Sequence, residues 1–192
     1  MKRIILASTS KYRKQLFEQL HWPFVCCSPE VDEALYKNQG FSPKDLAQKL
    51  SLIKAQAVLN KNLDAVVIGS DQVCALKDEI FSKPHNRENA FKQIKIMSGK
   101  THELITAVSI ISDQDSYTWS NSTQLKMRKL SDEDIIRYLE IDTPYDCAGS
   151  YKLEAMGIKL FEEIQMSDHT SIIGLPLIEI SNILISRFGY KF

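Results

Sequence analysis

The chain has 192 residues, 44% of them apolar and 25% charged, and its formal net charge is zero. That length suits one domain or two closely packed lobes, and the composition is ordinary for a soluble globular protein. Balanced charge excludes a nucleic-acid coat or a membrane-surface protein, so a polyanionic partner must be met by a local cluster of Lys and Arg.

The four cysteines, Cys26, Cys27, Cys74 and Cys147, form no C-x-x-C pair. They fit neither a disulfide framework nor a zinc site, and buried, reduced thiols are expected. Met1 to Ala7 joins two positive charges to a short apolar run. The run stops after four residues, short of a secretory h-region, and no segment is long enough to span a bilayer. A cytoplasmic location is the expectation.

In chain order, Ile4 to Ala7 reads as a first strand. Ser8-Thr9-Ser10 then opens a helix with Leu16, Phe17 and Leu20 along one face. Hydroxyls, Arg13 and Lys14 gathered at a helix N-terminus can attract phosphate through free N–H groups and the helix dipole. Plain N-capping by serine explains the same pattern. Val31-Asp32-Glu33 falls in a polar loop. Ser42-Pro43-Lys44-Asp45 predicts a helix to about Leu59, with N-cap, Pro at the first position and acid in the first turn. Leu46, Leu50, Ile53 and Ala57 form its inward face, and Lys54 reads by itself as a solvated charge.

A strand is predicted over Asp64–Ile68, and Gly69 ends it in a turn, Ser70-Asp71-Gln72. A carboxylate at the carboxyl end of a strand in an open α/β sheet lies where ligands bind. It can equally be a turn-forming Asp. Val73 to Leu76, Lys77-Asp78-Glu79 and Ile80-Phe81 predict a hairpin, closed by Ser82-Lys83-Pro84. Asn86 caps a helix to about Met97, stopped at Ser98-Gly99-Lys100. Glu103 to Ile111 and Ser116 to Leu130 read as two long strands joined by residues 112–115. Ser131-Asp132-Glu133-Asp134 is a capping box for a helix to about Glu140, broken at Asp142-Thr143-Pro144. Residues 146–154 read as loop, Ile158 to Ile164 as a strand, and Leu175-Pro176 as the start of a final helix ended by Gly189. The histidines, His21, His85, His102 and His169, show no ligand spacing.

Taken together, the segments Leu6-Ala7-Ser8-Thr9-Ser10-Lys11-Tyr12-Arg13-Lys14, Glu33, Lys54, Ser70-Asp71-Gln72, Ser82-Lys83-Pro84, Ser98-Gly99-Lys100-Thr101-His102 and Gly174-Leu175-Pro176-Leu177 have a recognisable order. It resembles the Maf family of nucleotide pyrophosphatases over nearly the whole chain. Tyr12, Gln72 and Glu154 resemble the pattern of its 7-methyl-GTP pyrophosphatase branch. Lys11 stands where the family commonly has a loop proline, and Ser82 where it has a glycine.

The resemblance implies one α/β domain over residues 1–192, similar to inosine triphosphate pyrophosphatases, with a mixed twisted sheet, helices and two lobes around a central cleft. It implies hydrolysis of a nucleoside triphosphate between the α and β phosphates, on 7-methyl-GTP. The alternatives are the same reaction on dTTP or UTP, and a nucleotide-binding regulator of cell division with little turnover. It also implies a divalent metal, magnesium or manganese, a small-molecule nucleotide as partner rather than nucleic acid or membrane, and a homodimer.

The expected site follows from charge. Several phosphate charges must be offset by Arg and Lys. Arg13, Lys14, Ser8 and Ser10 are the candidates for binding phosphate, and Lys54 and Lys83 for the remaining oxygens. Asp71 is the candidate proton acceptor, with Glu33 as second carboxylate; both can contribute to a metal site. Tyr12 can stack on a cationic base, Gln72 can offer an amide contact, and Glu154 can accept from the Watson–Crick edge while offsetting the base charge.

Overall fold

The computed structural model describes residues 2–37 and 39–192. The elements in chain order are β1 (Arg3–Ala7), α1 (Lys11–Glu18), β2 (Phe24–Cys26), α2 (Ala34–Lys37), α3 (Pro43–Leu59), β3 (Ala65–Leu76), β4 (Glu79–Phe81), α4 (Arg87–Met97), β5 (Thr101–Ile111), β6 (Ser116–Met127), α5 (Asp132–Asp142), β7 (Phe161–Gln165) and α6 (Leu177–Phe188). Short 3-10 turns lie at Ala148–Ser150, Met156–Leu160 and His169–Ile173. The strand order is β2-β1-β3-β5-β6-β7, with β4 also on β3. Parallel pairs (β1 with β2 and β3) and antiparallel pairs (β3 with β4, β6 with β7) make this a mixed α/β sheet, as expected.

The chain forms two compact units. The first comprises residues 1–71, 106–121 and 168–192. Side-chain alternation along its strands builds two cores. Ile4, Leu6, Val66, Ile68, Val108 and Ile110 point to one face and pack with Leu16 and Phe17 of α1 and Ile180 and Leu184 of α6. Ile5, Ala7, Ala65 and Val67 point to the other and pack with Ala55, Val58 and Leu59 of α3. Strands covered on both faces must be apolar in near-continuous runs, which is why Ile4–Ala7 and Ala65–Ile68 contain no polar residue.

The second unit comprises residues 72–105 and 122–167. Its buried side chains include Ile94 and Met97 of α4, Ile135, Tyr138 and Leu139 of α5, and Leu125 and Met127 of β6. The capping box of α5 is present, with Ser131 and Asp134 exchanging bonds, and Thr143 ends the helix in the left-handed region at φ 41°.

Four expectations change. First, Ser70-Asp71-Gln72 is not a turn: β3 runs unbroken through it for 12 residues. Polar residues survive inside this strand because each buried one finds a partner, Ser70 Oγ donating to the Gly174 carbonyl at 2.7 Å and Asp71 accepting from Lys54. Second, the inward face of α3 is turned from that predicted. Ile53 and Ala57 are only half-buried, while Ser51, Lys54, Ala55 and Val58 are buried. Third, Ile158–Leu160 is 3-10 turn, and the strand begins at Phe161. Fourth, all four cysteines are free, but only Cys74 is buried; Cys26 is exposed. Strand β2 and helix α2 were too short to read from periodicity.

Candidate active site

The first unit brings Arg13, Glu33, Lys54 and Asp71 together. Parallel pairing of β1 with β3 ends at the pair Ala7–Gly69. Beyond it β1 turns into α1, while β3 continues and carries Asp71 two residues further. The strand-end logic therefore holds for the parallel ladder, although the strand itself does not end.

Ser10 is the N-cap of α1, its hydroxyl accepting from the Arg13 amide at 3.4 Å; the Ser8 hydroxyl accepts from the Ser10 amide at 3.1 Å. Both hydroxyls serve as acceptors in capping and keep their O–H to donate elsewhere. The capping explanation is thus correct for Ser8 and Ser10 and leaves their donor protons available.

Helix α3 reaches Asp71 because Gly69 lies beneath it. A Cβ on Gly69 would fall 2.2 Å from the Ser51 carbonyl oxygen and 2.8 Å from the Ala55 amide nitrogen, both backbone atoms of α3. Those residues bracket Lys54. Its Nζ lies 2.6 Å from Glu33 Oε1 and 2.6 Å from Asp71 Oδ1. Lys54 is therefore not the solvated charge it resembles in isolation. A buried ammonium is tolerated because two carboxylates share it. Gly69→Ala is expected to force the helix off the strand, destabilising the protein by about 1–3 kcal/mol. It should also reduce turnover by separating Lys54 from Asp71. Urea unfolding and a turnover assay measure both, and a Gly69→Ala protein of unchanged midpoint would refute the close-approach argument.

Electrostatics divide the two carboxylates. Burial pushes the Asp71 carboxyl above the ordinary Asp range, although Lys54 and Arg13 pull it down. For Glu33 burial also acts upward, but Lys54 and Lys37 together outweigh it and hold it below the usual range. Lys37, one helical turn on, stands 3.5 Å from Glu33 Oε2. Asp32 fixes the start of α2 by accepting from the Ala34 amide at 3.0 Å.

Arg13 is placed by backbone carbonyls. Its Nε donates to Gly174 O at 3.2 Å and its Nη1 to Ser70 O at 3.0 Å. Burial lowers its pKa, with Asp71 and Glu33 acting to restore it. Two of its five donors are thereby spent on fixing the plane of the guanidinium, and the others remain for an anion. Gly174 sits at φ +111°, a conformation open to glycine, and its carbonyl also receives Ser70 Oγ. The contact between Ser70 and the Gly174 carbonyl is not legible in sequence; the Ser70-Asp71-Gln72 and Gly174-Leu175-Pro176 segments are its signals.

Lys14 is exposed and directed to Glu18 at 3.9 Å. Tyr12 is exposed on α1. Gln72, half-buried on β3, Lys83, exposed after β4, and Glu154, exposed in the 153–155 turn, belong to the second unit.

Each carboxylate gives one oxygen to Lys54, Glu33 through Oε1 and Asp71 through Oδ1, and Glu33 Oε2 also faces Lys37 Nζ at 3.5 Å. Two hard oxygen donors fit magnesium or manganese, which are commonly held by one or two carboxylates plus substrate phosphates.

Known proteins resemble the chain over nearly its whole length. A family model described as Maf-like protein matches residues 3–187. The 7-methyl-GTP pyrophosphatase of Bdellovibrio bacteriovorus is 43% identical over 183 residues, covering 95% of this chain and 96% of the relative. The protein of the same name from Aromatoleum aromaticum is 42% identical over 184 residues, covering 95% and 94%. That of Pseudomonas syringae pv. tomato is 39% identical over 189 residues, covering 97% of each. A family-model match over residues 3–187 and full-length similarity at this level lead to one conclusion: the chain belongs to the Maf-like family.

Proposed function

We propose that the protein hydrolyses 7-methyl-GTP between its α and β phosphates, releasing 7-methyl-GMP and pyrophosphate and so clearing a modified nucleotide. The single observation that carries the reaction is the Lys54 ammonium held 2.6 Å from both Glu33 and Asp71. The names of the relatives support the choice of base.

Hydrolysis forms a bond from water oxygen to phosphorus and breaks the bond to the leaving pyrophosphate. The water proton goes to Asp71. A general base works best when its pKa approaches the working pH, and burial moves Asp71 in that direction. Lys54 keeps Asp71 ionised and aimed, and Glu33, ionised at lower pH, holds Lys54 from the other side. The free N–H groups of Arg13 and the hydroxyls of Ser8 and Ser10 bind phosphate oxygens, with Lys14 and Lys83 adding charge. Magnesium or manganese would be held by the Glu33 and Asp71 carboxylates and would neutralise phosphate charge.

Base choice rests on the second group of residues. A 7-methylated guanine is cationic and keeps donors on its Watson–Crick edge. Glu154 accepts from that edge and offsets the charge, Tyr12 stacks on the ring, and Gln72 adds an amide contact. Among the described residues no helix is long and apolar enough to cross a membrane. The reading includes a cytoplasmic homodimer, which cell fractionation and light scattering check.

The test is pyrophosphate release from a nucleotide panel, with and without magnesium or manganese. Preference for 7-methyl-GTP that weakens in Glu154→Gln is expected. Preference for dTTP or UTP would replace the substrate, and tight binding with no release would replace the enzyme by a regulator.

A further inference from the structure

Glu154 lies at the tip of a small closed loop, and the closure is unusually well built. A Cβ on Gly157 would fall 2.3 Å from the Lys152 carbonyl oxygen and 2.8 Å from its carbon. Residues 152 and 157 therefore form a neck that only glycine permits. Helix α5 holds both sides of this neck. The Tyr138 hydroxyl accepts from the Lys152 amide at 3.0 Å. One turn later the Asp142 carboxylate accepts from the Gly157 amide at 3.0 Å through Oδ2 and from the Met156 amide at 3.4 Å through Oδ1. The Asp142 carbonyl accepts from Lys152 Nζ at 3.2 Å. Inside the loop the Ala155 amide donates to the Lys152 carbonyl at 3.2 Å.

These groups do more than end a helix. Tyr138 and Asp142 are four residues apart, so they stand on one face of α5 and are spaced by one helical turn. They fix three amides of a six-residue loop whose tip is otherwise exposed. An acceptor that selects a base must be held within a fraction of an ångström, and loops achieve this only when a rigid element supports them.

We infer that Tyr138, Asp142 and Gly157 are positioning residues for base selection, acting through the loop that presents Glu154. The inference rests on the proposed role of Glu154 in recognising the base. None of the three needs to touch the nucleotide.

Tyr138→Phe removes one acceptor and keeps the ring that packs in the core. Asp142→Asn exchanges one acceptor oxygen for an N–H donor that opposes a loop amide. Each is expected to raise KM for 7-methyl-GTP by roughly 10-fold, the effect of about 1.4 kcal/mol. Each should change kcat, and kcat/KM for UTP, by less than about twofold. In a Glu154→Gln background the same substitutions should add little, because residues acting as one unit are not additive. Amide hydrogen exchange at residues 152–157 should quicken in both variants. An equal loss on every nucleotide, or an undiminished effect in the Glu154→Gln background, overturns the inference. A wild-type protein that prefers another base overturns the proposed function instead, and the same cycle run with that preferred nucleotide then decides the loop clamp separately.

Discussion

Asp71→Asn is expected to lower pyrophosphate release by roughly 10²–10⁴-fold, the range associated with loss of a positioned general base. Asn is isosteric and still accepts one hydrogen bond from Lys54, so nucleotide binding should fall far less than turnover. In the native protein the rate should decline as pH falls, because Asp71 must be ionised to take the proton. Burial raises its pKa, which puts this acid limb above the ordinary Asp range, whereas Glu33 is held below its own range and stays ionised there. Lys54→Met removes the principal partner that favours ionised Asp71 and leaves only Arg13 to oppose burial and the Glu33 charge. The acid limb of that variant should move to still higher pH. A pH profile of kcat/KM for the three proteins checks this. Full turnover in Asp71→Asn, or an acid limb unmoved in Lys54→Met, would remove the proposed base.

The second large effect concerns stability. His102 on β5 is 1% exposed, and its Nε2 lies 3.0 Å from the Tyr151 hydroxyl. Its Nδ1 is buried and, among the described residues, has no hydrogen-bond partner. Burial therefore lowers its pKa from 6.5 to about 4. The unfolded chain binds this proton more readily than the folded one. The associated stability is fully present above pH 6.5 and is lost as pH falls toward 4. The displacement corresponds to about 3 kcal/mol. That is a large part of an ordinary folding free energy. Urea midpoints measured from pH 7.5 to 4 should fall more steeply for the native protein than for His102→Gln. Parallel curves would show that the buried imidazole takes up its proton without cost.

The legibility of the fold followed the range of the interactions involved. Caps are local, so Ser42, Asn86 and Ser131 are legible from a few neighbouring residues, and the Ser8-Thr9-Ser10 run marks the start of α1, where Ser10 is the cap. The β3–β4 hairpin is likewise present, its turn at Lys77-Asp78 one residue shorter than the predicted Lys77-Asp78-Glu79 because Glu79 pairs with Leu76. Ser70-Asp71-Gln72 reads as a turn because Ser, Asp and Gln have poor strand preference after a glycine. In the fold that preference loses to long-range partners: Gly174, 104 residues away from Ser70, and Lys54, 17 residues before Asp71.

The same division explains Lys54. Leu46 and Leu50 alone do not determine the phase of α3, and a lysine biases the reading toward an outward position. Only the contact of α3 with Gly69 turns Ser51, Lys54, Ala55 and Val58 inward. The roles of Asp142 and Tyr138 were hidden for a similar reason, since the amides they hold lie 14 to 15 residues further on.

The sequence by itself determined the class of fold, the order of the longer elements and the family, because these rest on apolar periodicity, caps and short motifs. Tertiary structure alone decided that Lys54 bridges two carboxylates, that Arg13 is aimed by two carbonyls and that the Glu154 loop is closed at its neck. Each of those arrangements depends on a buried polar group finding its partner across the fold, and burial without a partner would have been too costly to keep.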